Sequence, residues 1–130
     1  GEVQFGGIVG DNGSGTVNNS YTTGAITLTN GDSLAEVGGI VGGDGEVNNS
    51  YATGSISAPD SNYVGGVMGR FGSQTGSYWD TESTGKRTSA NSAVGLTTVE
   101  MQGSEAETNM AEFDFADTWT TTNSYPELQD

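Results

Sequence analysis

Short β-branched segments bounded by Gly, Asn and Asp recur along the first part of the chain, the pattern of brief strands closed by turns. The segments come round in a longer cycle. "GGIVG" (residues 6–10) leads to "VNNSYTTGAI" (17–26), "VGGIVG" (37–42) to "VNNSYATGSI" (47–56), and "VGGVMG" (64–69) to a degraded "TGSYWD" (75–80). Tyr21, Tyr51 and Tyr78 fall thirty and twenty-seven residues apart. Within the second period the pattern predicts strands at 36–41, 46–51 and 54–58, with corners at 42–45 and 53–54.

Three short strands per period cannot bury a face alone, but copies stacked ~4.8 Å apart pair by hydrogen bonds and share a core. The expected fold is therefore all-β: a β-solenoid, β-helix-like, of about three ~30-residue coils. In such a stack each residue lies over its counterpart. Ile8, Ile40 and Val67 form one predicted aliphatic column, Val17 and Val47 a second, and Ile26 and Ile56 a third. Tyr21, Tyr51 and Tyr78 form an aromatic ladder, and Asn19 over Asn49 an amide ladder. The solenoid is expected over 1–79, its coils at about 1–31, 32–60 and 61–79.

Beyond Asp80 the period is lost, and 80–130 is expected to be a C-terminal cap. Residues 83–93 read as an exposed loop. Thr97 and Glu100 form a capping box that starts a short helix, and "SYPEL" ends in a strand. Trp79, Phe113, Phe115 and Trp119 are the residues expected to plug the solenoid end, whose open core and strand edges otherwise invite aggregation. The chain opens in mid-repeat and has no leader-like segment, so a mature product or an excised piece is expected. The first coil is then left open, to be continued by upstream repeats of a longer chain or by self-association.

Charge narrows the partners. Seventeen acidic residues against Arg70, Lys86 and Arg87 give a formal net charge of −14, which repels nucleic acid and anionic membrane surfaces. No apolar run approaches the ~20 residues of a membrane span, so no membrane insertion is expected. Acids spread singly with almost no lysine suit concentrated salt, where screening suppresses self-repulsion. The absence of His and Cys excludes Ser-His-Asp triads, Cys-His pairs and the usual zinc sites. A carboxylate-pair polysaccharide-degrading enzyme is the one class left, with Asp80 beside Trp79, or Asp114 with Asp117, as its acids; nothing in their spacing favours it. Asp11, Asp44 and Glu46 sit in Gly-rich turns and are weak calcium candidates that match no EF-hand or nonapeptide loop; no other cofactor is expected. Asn12, Asn18 and Asn48 lie in glycosylation sequons, Asn12 being preferred because the other two read as corner residues.

"VGGIVGGDGEVNNSYATGSI" resembles the GLUG motif, found in tandem in large bacterial and archaeal surface proteins and in non-catalytic regions of some IgA-cleaving metalloproteases. "SYWDTESTG", "VGLTTVEMQ", "FDFADTW" and "SYPELQ" resemble the segment that commonly follows the last such repeat. The resemblance implies a cell-surface module without catalytic residues, and the metalloprotease zinc motif is absent. The expected role is an extracellular, non-enzymatic structural or adhesive module, self-assembling end to end into filaments. The alternative is a carbohydrate-binding module, in which exposed aromatics stack on glycans.

Overall fold

The computed structural model describes residues 4–29 and 33–129. The expected boundary at 31/32 between the first two coils lies outside the described residues. Coil 1 carries β1 (Gln4–Gly6), β2 (Val9–Asp11), β3 (Thr16–Asn18), β4 (Tyr21–Thr22) and β5 (Ile26–Thr27). Coil 2 carries β6 (Glu36–Gly38), β7 (Val41–Gly43), β8 (Glu46–Asn48), β9 (Tyr51–Ala52) and β10 (Ile56–Ser57). Coil 3 carries β11 (Tyr63–Gly65), β12 (Met68–Arg70), β13 (Ser73–Thr75) and β14 (Tyr78–Asp80). Every strand of one coil pairs in parallel with its counterpart in the next, and together they form an all-β solenoid.

A full coil has five sides, not the three strands that the sequence pattern predicts. The expected strand 36–41 breaks at Gly39 and Ile40, where β6 folds back on β7. The expected strand 46–51 breaks at Asn49, whose φ of 50° puts a left-handed corner between β8 and β9; Asn19 does the same at 48°. The corner expected at 42–45 narrows to Asp44 and Gly45, since Gly42 and Gly43 lie in β7. Glycine explains the fold-back. A Cβ at Gly38 would collide with the Val41 carbonyl oxygen, and one at Gly65 with that of Met68, so these neighbouring sides meet backbone to backbone.

The interior is small and aliphatic. Val17, Ile40, Val41, Val47, Ala52, Val67, Met68 and Trp79 form its main cluster; Val37, Ile56 and Ala58 form a second, against which Ile26 packs. Val17 lies in register with Val47, and Ile26 with Ile56. Ile8 donates its N–H to Ile40 C=O at 2.9 Å, and Ile40 to Val67 C=O at 3.0 Å.

The winding does not stop at Asp80. Ile56 donates to Thr84 C=O at 3.1 Å, so Thr84 stands over the fifth side of coil 2. Gly66 donates to Thr88 C=O, Val67 and Met68 donate to the Ser89 hydroxyl, and β15 (Val94–Leu96) pairs in parallel with β14. The expected loop 83–93 is thus a contracted fourth turn drawn across the solenoid end, with Thr84 buried and Ala90 and Ala93 packed against the main cluster.

The rest of the C-terminal segment lies along the flank instead of plugging the end. Tyr78 and Trp79 are consecutive in β14 and so face opposite ways. Trp79 points inward and fills the tube, its indole N–H donating to Lys86 C=O at 2.8 Å. Tyr78 points outward with Tyr51, where Met101, Ala106, Met110, Phe113 and Trp119 cover both and Phe115 packs at the margin. Thr97 and Glu100 do exchange bonds: Thr97 N–H donates to Glu100 Oε1 at 2.9 Å, and Glu100 N–H to Thr97 Oγ1 at 3.3 Å. They close only a 3₁₀ turn, Val99–Met101, and the one α-helix among the described residues, α1, runs Gly103–Asn109. β16 (Trp119–Thr120) and β17 (Glu127–Leu128) end the segment as an antiparallel pair.

Gly66 tests the packing of the tube. A Cβ there would overlap the Trp79 ring, whereas one at Gly24 would meet nothing within 4 Å. Gly66→Ala is expected to lower the urea unfolding free energy by about 1–3 kcal/mol through overpacking, and Gly24→Ala to change it by less than about 0.5 kcal/mol. Equal effects would refute this account of the interior.

Candidate functional site: the ladder face and the open first coil

The Asn-Asn-Ser-Tyr corner is built from interactions between coils. Asn48 Nδ2 donates to Asn18 Oδ1 at 3.2 Å, so the amide ladder forms one position before the Asn19–Asn49 pair expected from the sequence. Asn19 and Asn49 supply the left-handed turn instead. The serine hydroxyls then staple the coils together. Ser20 N–H donates to Ser50 Oγ at 3.0 Å and Ser50 N–H to Ser77 Oγ at 3.4 Å. The Ser20 and Ser50 hydroxyls donate back to the Asn18 and Asn48 carbonyls. A short polar side chain that both accepts and donates is needed here, which explains the repeated serine.

The tyrosines follow directly. Tyr21, Tyr51 and Tyr78 lie in one register column, and the Tyr21 and Tyr51 rings stack at 5.1 Å with 9° between their planes. Tyr78 meets Phe113 edge-on at 5.4 Å. Tyr51 donates its hydroxyl to Pro126 C=O at 2.6 Å, and burial, with Tyr21, Glu127 and Tyr125 nearby, pushes its ionisation well above the ordinary range. The C-terminal segment is thus held on the flank by the ladder.

Asp80 fastens the same segment. Its Oδ1 accepts the N–H groups of Glu82 and Ser83, and its Oδ2 accepts the hydroxyls of Thr98 at 2.7 Å and Tyr125 at 2.5 Å. Burial pushes its titration upward, but these four donors outweigh burial and hold it below the usual 3.8. Tyr125 is pushed up by burial and by the Asp80 bond. A carboxylate occupied in this way is a structural anchor and makes a poor general acid.

The other candidates are dispersed. Asp114 Oδ1 accepts from the Ala116 and Asp117 N–H groups in an exposed turn. Asp11 Oδ1 accepts the Gly13 N–H, Asp44 sits at a left-handed corner, and Glu46 Oε1 accepts from Asn48 Nδ2 at 2.7 Å. Among the described residues no three acidic side chains gather to hold a metal, and no pocket opens. Asn12 Nδ2, the atom a glycan would join, donates to Gly15 C=O at 2.9 Å and reaches Glu46 C=O at 3.5 Å. Asn48 Nδ2 is likewise engaged, while Asn18 is exposed on the first coil.

One arrangement carried no sequence signal. Glu36 is buried in β6, accepts from Gln4 Nε2 at 3.1 Å, and faces Arg70 NH1 at 3.8 Å. The Arg70 guanidinium lies between the Tyr63 and Phe71 rings, at 3.9 and 4.3 Å from their centroids. This is the only ion pair among the described residues. In sequence, Glu36 reads as one acid among seventeen.

The first coil exposes what the second buries. Ile8 is 44% exposed against 0% for Ile40, and Tyr21 is 39% exposed against 2% for Tyr51. The outer edges of β1 to β5 pair with no strand among the described residues.

Over 74 residues the chain is 45% identical to halomucin of Haloquadratum walsbyi, a match that takes in 51% of this chain and 1% of that protein. The chain therefore spans a very small part of the curated relative that it matches. No protein-family model and no solved structure matches it.

The lock at Asp80 gives a signed pH dependence. Its lowered titration means that the stabilisation is complete above the ordinary carboxylate value of 3.8 and fades as pH falls through the lower folded-state value. Tyr125→Phe is expected to cost about 1.5–3 kcal/mol near neutral pH, with the gap from the wild type narrowing in acid. Urea titrations across that range check this; a gap that stays constant would show that the Tyr125 bond does not depend on the Asp80 charge.

Proposed function

We propose that this chain is an extracellular, non-enzymatic structural module of a microbial surface protein adapted to high salt, and that its first coil receives a further coil. The observation that carries this reading is the exposure of Ile8 and Tyr21, whose counterparts are buried, Ile40 in the core beside the coil before it and Tyr51 between the Tyr21 ring and the C-terminal segment. The Asn18–Asn48 amides form a ladder, Ser50 and Ser77 staple the coils, and Asp80 is an anchor, and among the described residues no pocket opens. The likeness of 74 residues to halomucin and the formal charge of −14 support an extracellular place in concentrated salt. The resemblance of the repeats to the GLUG motif agrees with a surface module. No helix among the described residues is long and apolar enough to cross a membrane.

A carbohydrate-binding role has thinner support. In the tyrosine column that would offer a stacking strip, Tyr21 stacks on Tyr51, Tyr78 meets Phe113 edge-on, and Tyr51 and Tyr78 lie beneath the C-terminal segment.

A preceding coil tests the proposal. Residues 33–62 fused directly ahead of Gln4 would repeat the junction that residues 33–62 make with Tyr63. The fusion is expected to raise the thermal midpoint by at least several degrees, since each kcal/mol is worth roughly 2–4 °C in a fusion of this length. A scrambled segment of the same composition should not. If both fusions melt like the parent chain, the first coil does not receive a coil and the reading falls. A second check uses salt: the midpoint of the parent chain should climb steadily from about 0.1 to about 2 M NaCl as repulsion is screened.

A further inference from the structure

We infer that copies of this chain join head to tail through the tyrosine sheet, β15 of one copy pairing in parallel with β4 of the next. The inference rests on the reading of the first coil as a receiving face, and it names the occupant as a second copy.

The contracted fourth turn treats the sheets unequally. Over β11, β12 and β13 it lays irregular chain: Thr88 C=O takes the Gly66 N–H, Ser89 takes those of Val67 and Met68, and Asn91 C=O takes Gln74 Nε2. Over β14 it makes a true strand, so the sheet β15-β14-β9-β4 gains a fourth member while those through β11, β12 and β13 stop at three. The corner before the strand is reproduced as well. Ser92 has a φ of 62°, in the position where Asn19, Asn49 and Gly76 have 48°, 50° and 60°. The sequence "NSAV" is therefore a worn copy of "NNSY", and it rebuilds a pairing edge where a polar seal would have sufficed.

The hydrogen-bond series predicts the joint. Tyr51 N–H donates to Ser20 C=O at 3.1 Å, Tyr78 to Ser50 at 3.0 Å, and Val94 to Ser77 at 3.0 Å. The next acceptor in that series is Ala93 C=O, and the donor with the matching place at the other end is Tyr21 N–H. The side chains agree: Tyr21, Tyr51, Tyr78 and Val94 share a column, and its two end members are the exposed ones, Val94 at 46%. Gly95, at the centre of β15, has no side chain to keep a neighbouring strand away. Neither β4 nor β15 carries the Lys or Pro that commonly blunts a free edge. Because the two surfaces differ, the contact is heterologous and leaves a new end after each addition, which makes a filament. Each copy carries a charge of −14, so growth requires salt.

The test measures the mass of the full chain by light scattering, with negative-stain microscopy, from about 0.1 to about 2 M NaCl, beside Val94→Lys and Tyr21→Lys, each first checked for native unfolding midpoint. The wild type is expected to form rods at high salt. Each variant alone should stay monomeric, because each has lost one of the two surfaces. Mixed, they should stop at dimers, since Val94→Lys keeps an intact β4 and Tyr21→Lys an intact β15. Rods that survive Val94→Lys, or a wild type monomeric at every salt, would overturn the joint. If the wild type stays monomeric while the fused upstream coil still stabilises it, the first coil receives a coil within its own chain and only the head-to-tail joint is wrong.

Discussion

Parallel in-register stacking is the constraint on which everything else in this molecule depends. Once β1 lies over β6 and β6 over β11, each side chain must suit the residue one coil above and one coil below. Ladders of like groups meet that demand: valine on valine, a tyrosine ring on a tyrosine ring, an asparagine amide on an asparagine amide, and a backbone N–H on a serine hydroxyl. Glycine meets it where two sides of one coil press backbone to backbone. The repetition in sequence is the record of that constraint.

The same constraint explains how much was legible beforehand. The columns through Val17 and Val47, Ile26 and Ile56, and the three tyrosines could be read because a thirty-residue period writes them in plain view. The five sides could not, since the break between β8 and β9 depends on Asn49 taking a left-handed φ, and asparagine also occurs in extended chain. The fourth turn was hidden for another reason: residues 84–96 compress a circuit into less than half the usual length, and only the corner geometry at Ser92 shows the kinship. The flanking position of the C-terminal segment was available in principle. Tyr78 and Trp79 are neighbours in one strand, and strand alternation already sends the tryptophan inward and the tyrosine out. Glu36 and Arg70 gave no signal, because their partnership joins the first side of one coil to the second side of the next.

The two ends of the solenoid are chemically unlike. The first coil presents apolar column residues, and the last turn covers most columns with Thr, Ser and Asn while Trp79 fills the space behind them. A stack whose two ends differ in this way has a direction. The C-terminal segment adds to it, for it leaves β15, runs back along the flank, and is fastened there by Asp80 to Tyr125 and by Tyr51 to Pro126. Those bonds reach across the coils, so the flank segment ties them together.

Charge and cohesion are separable here, and salt acts on them differently. The ladders are made of neutral groups, and hydrogen bonds and apolar burial of this kind do not weaken when sodium chloride screens electric fields. The one ion pair among the described residues, Arg70 with Glu36, has its carboxylate buried and its guanidinium between two rings, so screening reaches it least. The exposed acids are the part of the electrostatics open to solvent, and with seventeen acids against three bases their sum is repulsive. Added salt therefore removes a destabilising term and leaves the stabilising ones nearly intact. A protein held together by surface ion pairs would lose cohesion under the same conditions. This one places almost all of its charge on the side of the balance that salt relieves.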